Sequence, residues 1–477
     1  MLLELILIPL LGAAIAFAIP SNRWRPWLLP PVAAAHLVFT FRCLLHAPPA
    51  ALGGWLVLDP PGRLVLLVLT ALFVICGLYT VGYLRYRPER SNRVFVPCIL
   101  IFMSMATLVT CSHHLGLLWV AVEAMALSTA PLIYFNRTPK SIEATWKYLL
   151  VGSVGIALAL LGSFFLAYAS LSHSGEPSLL FEDLLKRAPL LNKTWLELAF
   201  VLLLVGYGTK MGLAPMHTWK PDAYGEAPGV VGALLAGCAT NCAFLALLRV
   251  YQICQASGAG FHASRMMVFI GLLSMTFAAV FMASQRDFKR MLAYSSVEHM
   301  GILVLGVGIG GPALFGALLH MINNGLTKGV LFLSAGNIHR AYGSKTTDDV
   351  RGAMRHLPVS GTLFLLGFFA VTGSPPFGPF ISEFTILNGA FERGRFLAGA
   401  GFLLLLLIIF IGMGRTVLTM VQGRPRPGSQ LTSYRDGILT ALPIITSLCL
   451  VTLLGVYIPT PLRTMLADAV RFLEVRP

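Results

Sequence analysis

The sequence predicts an all-α integral membrane protein of about fourteen transmembrane helices, and three observations carry that expectation. Its 477 residues are 56% hydrophobic and only 12% charged, where ordinary globular proteins are roughly 25% charged. Apolar runs recur from Leu2 to the neighbourhood of Tyr457, each near the 20 or so residues of helix that cross a hydrocarbon core about 30 Å thick. Between the runs no stretch is long enough for a large soluble domain.

In chain order the predicted spans are 2–19, 27–45, 64–84, 94–111, 115–135, 148–171, 196–213, 229–251, 266–284, 292–308, 313–335, 362–391 with an interruption, 396–421 and 438–457. The first run has no basic residues before it and reaches Pro20 and Arg23 without a small-residue cleavage site, so it reads as a span rather than a signal peptide.

A net charge of +15 invites a nucleic-acid reading. The basic residues, however, sit in short inter-helix loops and form no aromatic-interleaved patch, which excludes that class. They report orientation instead. Loops after odd-numbered spans hold most of them, among them Arg25, Arg85, Arg87, Arg90, Arg93, Lys220, Lys289 and Arg426. Cytoplasmic loops favour Lys and Arg, so both termini are expected outside. Lys186, Arg187 and Lys193 dissent. They belong to the longest loop, from Ser172 to Thr194, where a short amphipathic helix is expected.

The eight cysteines lie almost all in apolar runs and make no CxxC spacing, so the chain encodes no iron-sulfur or other metal centre. Cys238 and Cys242 share a helix face and read as small apolar packing. His113 and His114 read as solvated loop residues.

Two spans are punctuated alike. The seventh contains Gly206, Gly208, Gly212 and Pro215; the twelfth contains Gly373, Pro375, Pro376, Gly378 and Pro379. Interruptions at corresponding places in two halves are the sequence mark of repeats with a transport site between them. Five spans, an odd number, separate the breaks, which inverts one copy relative to the other. The implied division is 1–93 for the first three helices, 94–264 and 265–421 for two inverted five-helix repeats, and 422–477 for the last helix and a short tail.

A charge at a helix centre costs about 2.5–3.5 kcal/mol on insertion scales, so such residues are rare and usually functional. This chain keeps Glu123 in LLWVAVEAMAL, Lys210 in GYGTKMGLAP, Glu298 in YSSVEHMG, Lys328 in HMINNGLTKGVLF and Glu383 in PPFGPFISEF. A buried lysine is neutralised by desolvation and recharged by a nearby carboxylate, so moving the carboxylate's proton toggles the lysine. Glu123 with Lys210 is the natural couple; a static ion pair that only stabilises packing is the alternative. His320, Asn324 and Lys328 recur every four residues and share one helix stripe able to hold a file of water. Asn323 adds a further donor and acceptor. His217 and His299 extend the set, and neither stands at a metal-ligand spacing.

The strings GTKMGLAPMHTWKPDAYGEAP, DFKRMLAYSSVEHMG, HMINNGLTKGVLFLSAGNI and GSPPFGPFISEF resemble the antiporter-like subunits of respiratory complex I, multisubunit cation antiporters and membrane-bound hydrogenases. Within that group they look most like the F subunit of hydrogenase-4. The resemblance implies that Glu123 and Lys210 are the fifth- and seventh-span members of a proton channel, Lys328 its eleventh-span lysine and Glu383 its terminal residue. Asn324 and Asn241 stand where some relatives have titratable side chains, and water would bridge there. The chain ends about twenty residues after Tyr457, so the long lateral helix of a distal complex I subunit is not expected.

The resemblance implies a prokaryotic cytoplasmic-membrane subunit that binds no cofactor. Iron-sulfur clusters, and a nickel-iron site in a hydrogenase, belong to partner subunits. Two other functions compete: a sodium/proton antiporter subunit without a redox partner, and a structural membrane anchor. The expected route runs from Glu123 and Lys210 through Lys328 and His320 to Glu383, which releases protons outward.

Overall fold

A computed structural model of the chain describes residues 1–174, 177–424 and 431–474. Arg426 lies outside the described residues, as do positions 175 and 176 of the loop that begins at Ser172. Among the described residues the structure is helical, with no β-strand and only isolated backbone bridges.

The helices are α1 (Leu2–Ala18), α2 (Leu29–Leu45), α3 (Pro60–Arg85), α4 (Phe95–Cys111), α5 (Leu115–Ile133), α6 (Pro139–Ser174), α7 (Phe181–Lys186), α8 (Lys193–Met211), α9 (Trp219–Glu226), α10 (Gly229–Leu234) and α11 (Thr240–Ala256). There follow α12 (Gly260–Ala283), α13 (Phe288–Ile309), α14 (Pro312–Tyr342), α15 (Ala353–His356), α16 (Pro358–Val371), α17 (Gly378–Glu392), α18 (Phe396–Gln422), α19 (Ile438–Val456) and α20 (Thr460–Leu473). Among the described residues ten spans are long and apolar enough to cross a membrane, while α1, α4 and α16 are apolar but shorter.

Every predicted span coincides with a helix or a pair of helices. The expected interruptions are real: α8 and α9 make the seventh span, and α16 and α17 the twelfth. The eighth is also irregular, because a π-helical turn over Leu235–Ala239 joins α10 to α11. The short helix expected in the loop after the sixth span is α7. The tail expected after Tyr457 folds as α20, which buries Leu466, Ala469 and Leu473.

Local chemistry sets the helix ends. Asp59 starts α3 by accepting from Gly62 N at 2.8 Å, with Pro60 in the first turn where its missing N–H costs nothing. Asp287 starts α13 by accepting from Lys289 N and Arg290 N. Asn192 does the same for α8 through Trp195 N.

The interior is built on α13 and α14. Every residue of α13 except Arg290 is buried, and α14 is enclosed by α3, α10, α13, α16, α17 and α19. By contrast α18 presents Leu397, Leu404, Leu407 and Ile411 outward, the face lipid would cover. α6 and α8 approach closely because Gly155, Gly162 and Gly206 leave no side chain between them, the usual way membrane helices gain contact.

Several charged groups stand elsewhere than expected. Arg25, Lys220 and Lys289, expected as loop cations, are buried. Arg25 is spent on the C-terminal carbonyls of α1, donating to Ala16 O and Ile19 O. Asp59 and Arg249 form a fully buried two-pronged ion pair, Nε to Oδ2 and Nη2 to Oδ1 both at 2.9 Å. Arg249 also donates to Val109 O, Thr110 O and Ser112 O. His113 is not solvated: its Nε2 lies 3.0 Å from Asp59 Oδ2. His114 caps α5 through Leu117 N.

Candidate functional site

The first half of the site joins α5 to the broken seventh span. α5 carries Glu123, and the last turn of α8 carries Lys210, whose Nζ donates to Glu123 Oε2 at 2.7 Å. Gly152 on α6 leaves room for the ammonium, since a Cβ there would stand 3.0 Å from Nζ.

α8 then stops at Gly212, whose φ of +77° is the left-handed conformation that side chains disfavour. A helix end inside a membrane leaves carbonyls that need donors. Here the protein supplies them. Leu213 N donates to Gly208 O at 2.8 Å. From α9, Trp219 Nε1 donates to Thr209 O at 2.9 Å and Lys220 Nζ to Met211 O at 2.7 Å. Lys220 is wholly buried and reaches on to Ser296 O of α13 at 3.2 Å.

The second half lies on α13, α14 and α17. Lys328 Nζ donates to Ser295 Oγ at 2.7 Å, and Glu298 follows one turn along the buried α13. His299 Nδ1 and His320 Nε2 share a hydrogen bond at 2.8 Å, their rings stacked with centroids 5.0 Å apart. His320 Nδ1 bonds Ser382 Oγ at 2.9 Å, next to Glu383. The break of the twelfth span makes space for polar groups: a Cβ at Gly373 would overlap Glu383 Oε2, and one at Gly378 would overlap Asn323 Oδ1.

The fold therefore gathers Glu123 with Lys210, and Glu298, His299, His320 and Glu383 with Lys328. Asn324 shares the buried face of α14, and its amide has no protein partner. His217 stands apart, its ring enclosed by Phe277, Phe281 and Tyr294 with centroids 5.4, 6.4 and 6.2 Å away. Pro215 and Pro376 follow cis peptide bonds in the two breaks, Pro375 lies on the other side of the second, and Pro379 opens α17. Sequence reasoning did not single out Lys220, Ser295 or Ser382 as members of the site. Lys220 is visible inside GTKMGLAPMHTWKPDAYGEAP but reads as a loop cation between Trp219 and Pro221.

Linear spacing gave no reason to expect a metal, yet His299, His320 and Glu383 offer ligand atoms within 4.8 Å of one another. His299 and His320 are bonded directly to each other, and His320 to Ser382. With metal–nitrogen bonds near 2.0–2.1 Å, two nitrogens on one tetrahedral ion stand about 3.3 Å apart, against the 2.8 Å seen here.

Near these groups, Glu298 Oε2, both side-chain atoms of Asn323 and Asn324, and Glu383 Oε1 are buried without a hydrogen-bond partner in the protein. Native interiors rarely tolerate such atoms unsolvated, at about 1–3 kcal/mol each.

Residues 112–411 match the NADH:quinone oxidoreductase/Mrp antiporter transmembrane family. The chain belongs to that family. A hydrogenase-4 component F homolog of Methylacidiphilum infernorum is 34% identical over 467 residues, 95% of this chain and 96% of its own. Subunit N of the NADH-quinone oxidoreductase of Desulforudis audaxviator is 31% identical over 427 residues, 88% of this chain and 81% of its own. In fold, a chain of the membrane-bound sulfane sulfur reductase, an archaeal respiratory membrane complex, superposes with a TM-score of 0.86 at 21% identity, covering 99% of this chain and 97% of that one. This member of the family is thus a multi-pass, antiporter-like membrane subunit.

Proposed function

We propose that the chain is the proton-translocating subunit of a redox-driven membrane complex of the hydrogenase-4 or complex I kind. The carrying observation is the line of ionisable groups from Glu123 and Lys210 on α5 and α8 to Lys328, the paired histidines and Glu383 on α13, α14 and α17. Static packing needs no such line, and the orphaned polar atoms along it suit a file of water that carries protons between side chains.

In this reading Glu123, Lys210, Glu298, His299, His320, Lys328 and Glu383 hold protons in turn, Asn324 orients water and His217 flanks the first break. Both termini face outside a prokaryotic cytoplasmic membrane. The functional halves are residues 94–264 and 265–421, inverted with respect to each other, with 1–93 and 422–477 packed beside them. Iron-sulfur clusters, and a nickel-iron site if the partner is a hydrogenase, sit in other subunits. The likeness to hydrogenase-4 component F over nearly the whole chain favours a redox partner, whereas the Mrp side of the family favours a sodium/proton antiporter.

Inside-out vesicles bearing the assembled complex decide between them. Acidification of the lumen driven by an electron donor (NADH, formate or hydrogen), unchanged when sodium is replaced by potassium, is expected. Acidification that requires sodium and no donor assigns the antiporter function.

A further inference from the structure

The two halves of the line are bridged by one residue that has no part in the proton route proposed for the chain. Lys220 is wholly buried. Its ammonium contacts Met211 O, one residue from Lys210, and Ser296 O, one residue from the Ser295 that holds Lys328. Among the described residues no carboxylate lies within ion-pair distance of it, and its ammonium stands 5.6 Å from the centre of the Tyr224 ring. The side chain runs through the space that Gly212 leaves open, where a Cβ would stand 2.5 Å from Lys220 Cδ. Asn241, the polar residue of the eighth span, cannot take up a proton; it donates to Gly237 O within its own helix.

We infer that Lys220 is the middle proton-carrying station, linking the Glu123–Lys210 half to the Lys328 half. This rests on the proton-translocation reading. In the step, an N–H bond of the Lys220 ammonium breaks as a bound water takes that proton and releases another to the neutral amine of Lys328. One positive charge leaves Lys220, one arrives on Lys328, and no electron moves. Lys220 is then recharged from the Lys210 side when that ammonium separates from Glu123. Two bonds to backbone carbonyls, with no carboxylate to fix the charge, leave the ammonium free to give up a proton when a second positive charge comes near.

The competing role is a fixed cap on the end of α8, and two variants separate the roles. Lys220→Arg keeps the charge and the donors but cannot release a proton. Lys220→Gln keeps donors to the carbonyls and loses the charge. Both are assayed in the intact complex in inside-out vesicles, with proton uptake scored against assembled protein and electron transfer, and with Lys210→Ala alongside. At least a tenfold loss of uptake in both, with electron transfer retained, is expected. Normal uptake by either Lys220 variant beside an inactive Lys210→Ala overturns the role of Lys220 alone. Normal uptake by Lys210→Ala instead strikes the translocation reading beneath it. Failure of both Lys220 variants to assemble marks a structural cap and also overturns the proposal.

Discussion

Lys210 and Glu123 are 87 positions apart in sequence and 2.7 Å apart in space, joined by one hydrogen bond between the end of a half-helix and the middle of α5. Neither residue holds a redox centre. Lys210→Ala is therefore expected to reduce proton uptake at least tenfold while part of the electron transfer of the partner enzyme survives. Full uptake by correctly assembled Lys210→Ala complex, measured with a pH-sensitive dye in inside-out vesicles, removes the couple from the mechanism.

Glu383 stands beside Ser382 and against the break at Gly373, and in the proposed route it is the last proton carrier. Its side chain is buried and its Oε1 has no protein partner, so an outlet there needs water to reach the carboxyl. Glu383→Gln is expected to block uptake, and Glu383→Lys to retain part of it, because an amide cannot take up a proton and a lysine can. Undiminished uptake in the Gln variant places the outlet elsewhere.

How far these groups were legible depended on what surrounds each in the sequence. Glu123, Lys328 and Glu383 stood out because a charge inside an apolar run has no inexpensive explanation. Lys220 and Arg25 did not, since proline, tryptophan or further arginines flank them and the local text reads as loop. Asp59 and Arg249 are 190 positions apart and each sits near a span end, so only the tertiary fold reveals that they are one buried pair. The breaks were legible through clusters of glycine and proline; the π turn at Leu235–Ala239 holds only Gly237 and no proline, too weak a mark to read as a break.

The arginines after α3 predict that their loop is cytoplasmic. Single cysteines placed at Glu89 and at Leu190, in a background where the exposed Cys449 is replaced, are expected to label from the cytoplasmic side and from the outside respectively. The opposite pattern in intact cells reverses the direction of the whole route.

The Asp59–Arg249 pair predicts a stability effect without a transport effect. Removing one partner strands a buried charge, at about 3–5 kcal/mol. Arg249→Met is expected to lower the thermal midpoint of the detergent-purified protein sharply. Proton uptake per assembled complex is expected to stay near wild type, and an unchanged midpoint contradicts the structural role.

The bond between His299 and His320 sets a limit of another kind. Two imidazole nitrogens at 2.8 Å share a single proton, so one ring donates while the other accepts. When a proton hops through such a pair, the donor and acceptor exchange places, and the pair is left facing the wrong way for a second hop in the same direction. Both rings are completely enclosed, which makes turning them back slow unless the surrounding helices give way. In the proposed route the pair therefore admits one proton and then waits for a reset. A motion arriving from elsewhere in the assembly can set the pace of transport simply by granting that reset.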